Sequence, residues 1–312
     1  MSKNSQKKKI LILGFGRMGI SHALQISGIL RNRAIQYEIT ILEPSFLARL
    51  VATTIFRGKL NFIKLEELEY KADNFFDLAI DATPPISRKQ NKDILERISS
   101  SYLIEKPLLT KISKNGMSGY VLQHNPLVDE LKRRLKKEKL KAIEVSLKTN
   151  LNFKDEGGWR SGVHGGVINE FLGHLLSVPL SCLPDLKNLK VDNVISKPGR
   201  VEILLSSSSL QIPIVLEFGS PLVRKSTYNW SFVIEGDKSI NYDGYQINTK
   251  SLDSQGSFGM AELGISVEFY LRGFDFCFQG VALIDGKGDK MDSRQLELID
   301  TVINNVIEIG KN

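Results

Sequence analysis

A glycine-rich turn near the start of the chain constrains the fold more than any other feature. The turn, Gly14-Phe15-Gly16-Arg17-Met18-Gly19, follows the apolar residues 9–13 directly and leads into an amphipathic stretch over residues 18–30. The apolar run predicts a strand, and the periodicity after the turn predicts a helix. A strand, a tight turn and a helix in this order are typical of the first unit of a doubly wound α/β sheet.

The glycines have distinct roles in such a turn. Gly14 permits the tight bend, Gly16 allows the backbone to approach a ligand, and Gly19 allows the helix to pack against the sheet. The start of the helix offers unpaired N–H groups and the positive end of a helix dipole. The turn therefore predicts a pyrophosphate site, with Phe15, Arg17 and Met18 among its members.

An acidic residue follows the turn at the spacing that a dinucleotide site requires. The second predicted strand ends at Glu43, and a carboxylate roughly 20 residues beyond the turn can accept hydrogen bonds from the adenosine ribose. A carboxylate there repels the additional phosphate of NADP, and Pro44 and Ser45 follow it rather than an arginine. These residues favour NAD over NADP, although a surface acid before a turn remains the alternative for Glu43.

Hydrophobic periodicity divides the chain into two parts. In the first part, strands are predicted at residues 9–13, 38–42, 78–81 and 102–104, with a weaker one at 61–63, and helices at 18–30, 45–56, 65–71 and 86–99. We therefore expect an N-terminal Rossmann domain with a doubly wound parallel sheet over residues 1–120.

Strands dominate the second part. After helices at residues 125–137 and 167–178 and a strand at 142–149, strands are predicted at 191–196, 201–207, 211–218, 228–235 and 239–248, with closing helices at 262–272 and 293–309. Residues 121–312 therefore predict an α+β domain with a large, mostly antiparallel open sheet. We also allow that the last helix packs back on the first domain.

Composition excludes several classes of protein. Of 312 residues, 42% are hydrophobic and 25% charged, as in globular proteins, and no apolar run reaches the roughly 20 residues that span a bilayer. The net charge is +7, but aromatic residues do not accompany the basic clusters, so we expect no nucleic-acid partner. The scattered histidines predict no metal, and the widely spaced Cys182 and Cys277 favour the cytoplasm.

Four further segments accompany the glycine turn in a recognisable order. They are Asp81-Ala82-Thr83-Pro84-Pro85, Glu105-Lys106-Pro107, the stretch from Gly119 to Pro126, and the stretch from Gly158-Trp159-Arg160 to Gly165-Gly166-Val167-Ile168-Asn169-Glu170-Phe171-Leu172-Gly173-His174. With them, residues 9–178 resemble the Gfo/Idh/MocA oxidoreductases. The resemblance implies NAD-dependent chemistry on sugars, polyols or nucleotide sugars, and an open sheet that mediates homodimers or homotetramers.

The resemblance also implies roles for individual residues. Thr83, Pro84 and Glu105 would line the cofactor, Lys106 would contact both cofactor and substrate, and His174 would be the acid/base. Glu170 stands where most members have aspartate, and Ser177 stands where an acid is usual. The implied substrate-binding residues are Lys106, His124, Asn125, Trp159, Arg160, Glu170 and His174.

Alcohol oxidation requires a group that polarises the oxygen and a group that takes the proton. Lys106 and His174 can fill these roles, and Glu170 lies one helical turn from His174, where it can orient the imidazole. The structural alternatives are a surface residue for Lys106, a core residue for His174 and a helix acid for Glu170. For Asn125 the alternative is a helix cap, and for Trp159 and Arg160 it is a structural loop. His22 is interpreted as structural.

Three functions are consistent with these residues. The leading hypothesis is an NAD-dependent oxidoreductase acting on CH–OH groups. A catalytically inactive NAD(P)-binding regulator or scaffold of the same fold is the second. The third is an NAD-dependent glycosidase or lyase that uses transient oxidation.

Overall fold

The computed structural model describes residues 7–108, 111–151, 166–207, 210–221, 223, 226–236, 238–250, 255–259 and 274–310. The chain divides into two compact units. The described residues up to His124, together with 274–289, form the first, which we call the Rossmann unit. Those from Asn125 to 259, together with 290–310, form the second, which we call the sheet unit.

The Rossmann unit is built on a six-stranded sheet in which every neighbouring pair is parallel. Its strands are β1 (Lys8–Leu13), β2 (Tyr37–Leu42), β3 (Asn61–Phe62), β4 (Leu78–Asp81), β5 (Tyr102–Ile104) and β6 (Gly116–Ser118). The spatial order β3-β2-β1-β4-β5-β6 is that of dinucleotide-binding Rossmann sheets. The predicted doubly wound parallel sheet is thus confirmed.

Helices connect these strands. They are α1 (Arg17–Asn32), α2 (Phe46–Ile55), α3 (Leu65–Glu69) and α4 (Pro85–Ile98), followed by a 3₁₀ turn at Val121–His124. The buried face of α1 carries Ala23, Ile26 and Leu30 at helical spacing, and these residues pack with the strands in one apolar core. Burying such a face is what makes a 16-residue helix stable in water.

The sheet unit contains an eight-stranded sheet of order β14-β13-β12-β11-β7-β10-β9-β8. Its strands are β7 (Leu140–Lys148), β8 (Lys190–Lys197), β9 (Arg200–Ser207), β10 (Leu210–Glu217), β11 (Thr227–Ile234), β12 (Lys238–Tyr242), β13 (Gln246–Lys250) and β14 (Gln255–Gly259). The pair β7 and β10 is parallel, and the other pairs are antiparallel. The predicted large, mostly antiparallel sheet is confirmed. The helices of this unit are α5 (Pro126–Leu135), α6 (Gly166–Cys182) and α8 (Ser293–Ile309).

Helix α6 contains a proline, and an indole compensates for it. Pro179 has no N–H, so the carbonyl of Leu175, four residues earlier, loses its helical donor. The Trp230 Nε1–H donates to that carbonyl at 2.9 Å. Trp230 in turn stacks between Tyr228 and Tyr242, with ring centroids 5.9 and 5.2 Å away. This stack therefore ties α6 to strands β11 and β12.

Several elements differ from the sequence prediction. The strand predicted at residues 239–248 is two strands, β12 and β13, because a turn with Gly244 at φ +88° separates them. Helix α7 (Phe274–Ile284) was not predicted, and it belongs to the Rossmann unit, where it packs on α1. The last helix, α8, belongs to the sheet unit and packs on α6 and β8. The helix predicted at residues 262–272 lies outside the described residues.

Two glycines of the same helix provide a matched test of the packing. A Cβ at Gly19 would overlap the Gly14 carbonyl oxygen, whereas a Cβ at Gly28 would meet nothing within 4 Å. We expect Gly19→Ala to lower the free energy of unfolding by about 1–3 kcal/mol and Gly28→Ala to raise it by about 0.5–1 kcal/mol. Urea unfolding followed by circular dichroism measures both. Equal effects of the two substitutions would contradict the packing of α1.

Candidate functional site

The carboxyl ends of the parallel strands form one edge of the Rossmann sheet. Leu42, Leu13, Asp81 and Ile104 are register partners across four adjacent strands. The residues that follow them therefore come in a row along this edge, and they are Glu43, Gly14, Ala82 and Glu105. Strand order reverses direction between β1 and β4, and ligands of open α/β sheets bind at such a point.

The glycine turn is fixed to this edge by backbone hydrogen bonds. Gly14 adopts φ +78°, a left-handed conformation that favours glycine. Its N–H donates to the Leu42 carbonyl at 2.9 Å, and the Ala82 N–H donates to the Leu13 carbonyl at 2.8 Å. A Cβ at Gly14 would lie 3.0 Å from the backbone of Ala82 and Thr83. Glycine is therefore required here both by the bend and by the close approach of the β4 loop.

The start of α1 is suited to an anion. Its N-cap residue is Gly16, which supplies no side-chain cap, and its first turn contains no acidic residue. Gly16 and Arg17 are exposed, Met18 is half-buried, and a Cβ at Gly16 would meet nothing within 4 Å. The first N–H groups of a helix lack intrahelical partners and carry the positive end of its dipole. This end can therefore hold the phosphates of a dinucleotide.

Glu43 joins the second strand to the glycine turn. Its Oε2 accepts from the Phe15 N–H at 2.7 Å, and its Oε1 accepts from the Ser45 N–H at 2.8 Å. An ionised carboxylate has about four acceptor sites, so these bonds leave capacity for ribose hydroxyls. The Phe15 ring is buried and packs edge-on against Phe56, with centroids 6.0 Å apart. Phe15 therefore presents only its backbone at the edge.

The loop after β4 is held by polar side chains beneath it. Asp81 is fully buried, and its Oδ1 accepts from the Thr83 N–H at 3.0 Å and from the Thr83 hydroxyl at 2.5 Å. The Asn91 amide, on α4, donates to the other Asp81 oxygen at 3.0 Å. Thr83 is half-buried and Pro84 exposed. The carboxylate thus sets the path of the loop on which these two predicted cofactor residues lie.

A buried hydrogen bond between Glu105 and His22 anchors the loop after β5. Glu105 Oε1 lies 2.7 Å from His22 Nε2 on α1, and the two side chains are 3% and 2% exposed. Burial opposes ionisation of Glu105, but the hydrogen bond from His22 and the charges of His22, Arg88 and Lys106 outweigh it and hold its pKa below the usual range. Since an ionised carboxylate can only accept, His22 Nε2 is the donor. The Glu105 side chain therefore faces the interior and supports the loop.

Arg88, on α4, binds the backbone on both sides of Lys106. Its guanidinium donates to the carbonyls of Thr83, Glu105 and Pro107 at 2.7, 2.7 and 3.3 Å. Gly119 packs beneath the segment, where a Cβ would lie 2.7 Å from the Lys106 nitrogen. Lys106 itself is half-buried between buried neighbours. Arg88 and Gly119 therefore hold the backbone next to this lysine in place, while Lys106 itself stays partly exposed.

The other two predicted catalytic residues lie in the sheet unit. Glu170 and His174 are one turn apart on α6, and both are half-buried. Every residue from Phe171 to Cys182 except His174 is buried. Ser177, which stands at a position where an acid is usual, donates from its hydroxyl to the His174 carbonyl at 2.8 Å. This serine therefore serves the helix backbone.

His124 and Asn125 are both buried. His124 Nε2 lies 3.4 Å from Asp289 Oδ1 within the Rossmann unit. In the sheet unit, Asn125 Oδ1 accepts from the Leu127 N–H at 2.9 Å, and its amide donates to the Gly244 carbonyl at 2.9 Å. These bonds favour the helix-cap interpretation of Asn125.

Two predicted substrate residues, Trp159 and Arg160, lie outside the described residues. Among the residues that the structure describes, no cluster of histidine, cysteine, aspartate and glutamate could hold a metal ion. Within the same ranges, no helix combines the length and apolarity needed to cross a bilayer.

Sequence reasoning missed His22, Arg88 and Asn91 as parts of this edge. His22 was interpreted as structural without a partner, and its partner Glu105 is 83 positions away. Arg88 and Asn91 read as polar residues of an ordinary helix. The sequence offered one indication of their role: Arg88 and Asn91 are three residues apart, so both lie on the same face of α4.

The buried contact between Glu105 and His22 predicts a large and specific loss of stability when it is broken. His22→Leu removes the donor from a buried carboxylate, which we expect to cost about 3 kcal/mol or more, whereas His22→Gln keeps a donor and costs less. The pKa of Glu105 is lowered in the folded state. Its ionisation therefore stabilises the fold at pH values above the ordinary pKa of 4.5, and this stabilisation is lost as the pH falls through the lowered pKa. The difference in unfolding free energy between wild type and Glu105→Gln should therefore shrink in acid. Urea titrations at several pH values measure it, and a constant difference would contradict an ionised Glu105.

Solved structures of dehydrogenases and oxidoreductases share the fold of this chain. An oxidoreductase domain protein from Kribbella flavida is 12% identical, with a TM-score of 0.75, over 98% of this chain and 97% of that one. Levoglucosan dehydrogenase, in complex with NADH and levoglucosan, is 13% identical, with a TM-score of 0.74, over 97% of this chain and 98% of that one. A dehydrogenase from Clostridium difficile is 12% identical, with a TM-score of 0.69, over 98% and 99%.

No family model matches the chain, and no curated protein matches it in sequence. At these identities the solved structures establish the fold alone. The chain therefore has the fold of the Gfo/Idh/MocA-type oxidoreductases, which confirms, at the level of the fold, the resemblance that its motifs predict.

Proposed function

We propose that the protein is an NAD-dependent oxidoreductase that transfers a hydride between nicotinamide and a hydroxyl or keto group of a sugar, polyol or nucleotide sugar. The observation that carries the proposal is the row of loops at the carboxyl edge of the Rossmann sheet. There Glu43 follows β2, the uncapped start of α1 follows β1, and Lys106 lies in the loop after β5, with the loop after β4 between the last two. A ribose acceptor, an anion site and a cation in this order suit a dinucleotide with a substrate beside it.

The residues of this edge fit NAD. The backbone from Gly14 to Gly19, with Arg17, would hold the pyrophosphate, and Glu43 would accept from the adenosine ribose. Thr83, Pro84 and the backbone of Glu105 and Lys106 would border the nicotinamide half. The Glu43 carboxylate disfavours the additional phosphate of NADP, and solved relatives in fold were crystallised with NADH.

Binding of NADH distinguishes the site from an ordinary glycine turn. Gly16→Ala adds a methyl group in open space, so we expect only a small fall in unfolding temperature, because alanine caps a helix less well than glycine. The affinity for NADH should fall by about tenfold or more, or about 1.4 kcal/mol. Glu43→Gln should weaken NADH binding and reduce the preference of the protein for NADH over NADPH. Fluorescence titration measures both, with Gly28→Ala as the control. Tighter binding of NADPH than of NADH by the wild type would contradict the role of Glu43.

Lys106 and His174 would divide the proton chemistry of alcohol oxidation. NAD, when bound, supplies the hydride acceptor. The Lys106 ammonium would donate a hydrogen bond to the substrate oxygen and stabilise negative charge that develops there. The neutral His174 imidazole would accept the hydroxyl proton, and Glu170 would orient it. Rigid support of Lys106 by Arg88 and His22 suits this role, because catalytic groups act best when they are held in place.

The substrate class rests on the motifs that resemble the Gfo/Idh/MocA oxidoreductases and on levoglucosan dehydrogenase as a relative in fold. We further propose a cytoplasmic protein that forms homodimers or homotetramers through the sheet unit. One face of β11 is accessible for this assembly. On the side opposite the buried Trp230, Thr227 and Asn229 are exposed and Ser231 is half-buried.

Turnover of a sugar panel tests the proposal. The wild type should reduce NAD with at least one sugar, polyol or nucleotide sugar, and Lys106→Ala and His174→Asn should each lower kcat by about 10²–10⁴-fold. Lys89→Ala, which changes an exposed lysine of α4, is the control and should leave kcat unchanged. The measurement is the absorbance of NADH formed.

Other outcomes of the panel would contradict the proposal. Full turnover by both variants would remove Lys106 and His174 from the chemistry. Tight NADH binding without turnover of any substrate would favour a regulator or scaffold. A tightly held cofactor with bond cleavage but no net redox change would favour a glycosidase or lyase.

A further inference from the structure

Helix α2 exposes apolar side chains where a surface helix normally has charged ones. Phe46 and Leu47 are each 70% exposed, and Leu50, Val51 and Ile55 are 53%, 46% and 41% exposed. The helix buries only Ala52, and its single charged residue is the half-buried Arg49. Isolated exposed apolar residues are normal, but a contiguous group marks an interaction site.

The exposed residues form one continuous stripe. Leu47, Val51 and Ile55 are spaced by four along α2, and Phe46 and Leu50 form the neighbouring row with the same spacing. Residues four apart lie one above the other on a helix. The stripe therefore runs the whole helix, a length of about 15 Å. We call these five residues the α2 stripe.

The area of the stripe matches what a stable dimer needs. Applying the exposed fractions to side chains of about 150–250 Å² gives about 500 Å² of apolar surface. A standard interface buries about 800 Å² per partner, of which roughly 60% is apolar. The α2 stripe alone thus supplies the apolar share of one such interface.

Charges beside the stripe favour a second copy of the chain as the occupant. Beyond α2 the chain carries exposed basic residues at Arg57, Lys59 and Lys64, and then exposed acidic residues on α3. A two-fold axis brings the same patch of two copies together in reversed orientation, so basic residues of one copy can face acidic residues of the other. The stripe itself carries no charge that its copy would repel.

A lipid surface fits the stripe less well. Helices that lie on membranes have a polar face rich in lysine and arginine. Helix α2 itself has only Arg49, and the exposed basic residues beyond it are followed by three exposed glutamates on α3, Glu66, Glu67 and Glu69.

We propose that the α2 stripe is an isologous interface that joins two copies of the protein through their Rossmann units. The two α2 helices cross antiparallel near Leu50 and Val51, with Phe46 of each copy toward Ile55 of the other. This interface is separate from assembly through the sheet unit, and the two together would give a tetramer. It does not depend on the proposed catalytic function.

Replacing two stripe residues by glutamate tests the interface. Leu47 and Leu50 are exposed, so Leu47→Glu with Leu50→Glu leaves the core untouched. We expect this variant to have half the molar mass of the wild type by light scattering after size-exclusion chromatography, with an unchanged far-UV spectrum. Ile86→Glu, which changes an isolated exposed isoleucine that is 79% exposed, is the matched control and should keep the wild-type mass.

A crosslink tests the orientation directly. Val51→Cys should give a disulfide-linked dimer under mild oxidation, whereas Ile86→Cys should not. An unchanged mass in the glutamate variant, or a wild-type protein that is monomeric at all concentrations, would overturn the proposal. Flotation of a monomeric wild type with anionic vesicles would assign the stripe to a membrane instead and would also overturn it.

Discussion

The Rossmann unit depends on a buried carboxylate that joins two of the loops to which we assign function. Glu105 follows β5, its carboxylate contacts His22 on α1, and α1 begins at the glycine turn. A charge this deeply buried is stable only with a partner. The partner therefore fixes the distance between the helix that would hold a pyrophosphate and the segment that carries Lys106. Arg88 completes the constraint by holding the loops after β4 and β5 together. The position of Lys106 is thus set by residues to which we assign no contact with the proposed ligand.

A buried hydrogen bond also supports His174, the candidate acid/base, in the sheet unit. Pro179 interrupts the hydrogen bonding of α6, and Trp230 replaces the missing donor at the Leu175 carbonyl. The carbonyl that is repaired belongs to the residue next to His174. An aromatic stack on β11 and β12 fixes the indole. Each unit thus has a buried hydrogen bond beside a proposed catalytic residue. In the Rossmann unit, Glu105 accepts from His22 next to Lys106, and in the sheet unit, Trp230 donates to Leu175 next to His174.

The sequence predicted the features that depend on local periodicity. The strands of the parallel sheet and the helix after the glycine turn follow from apolar spacing, and the turn itself from its glycines. Helix α7 was missed because Asp275 and Gln279 are its only polar residues and give too weak a helical period. Its place is set by packing on α1, where Gly280 approaches Ile29. The three-residue strand β6 is too short to show a pattern.

Contacts between distant residues could not be predicted from one sequence. His22 and Glu105 are separated by 83 positions, and Trp230 and Leu175 by 55. No local pattern encodes such pairs, because they arise only when the sheet assembles. The candidate site was therefore predicted by its motifs, whereas the residues that hold it in place required the structure.

Hydrogen–deuterium exchange with and without NADH tests the central claim most directly, namely that the carboxyl edge of the Rossmann sheet is a dinucleotide site. The account predicts that NADH slows exchange in the peptides that contain the glycine turn, Glu43, Thr83 and Lys106, while the peptide of residues 33–36, which precede β2 at the opposite edge of the sheet, is unchanged. Unaltered exchange in the glycine turn at saturating NADH, or protection confined to other segments, would contradict it.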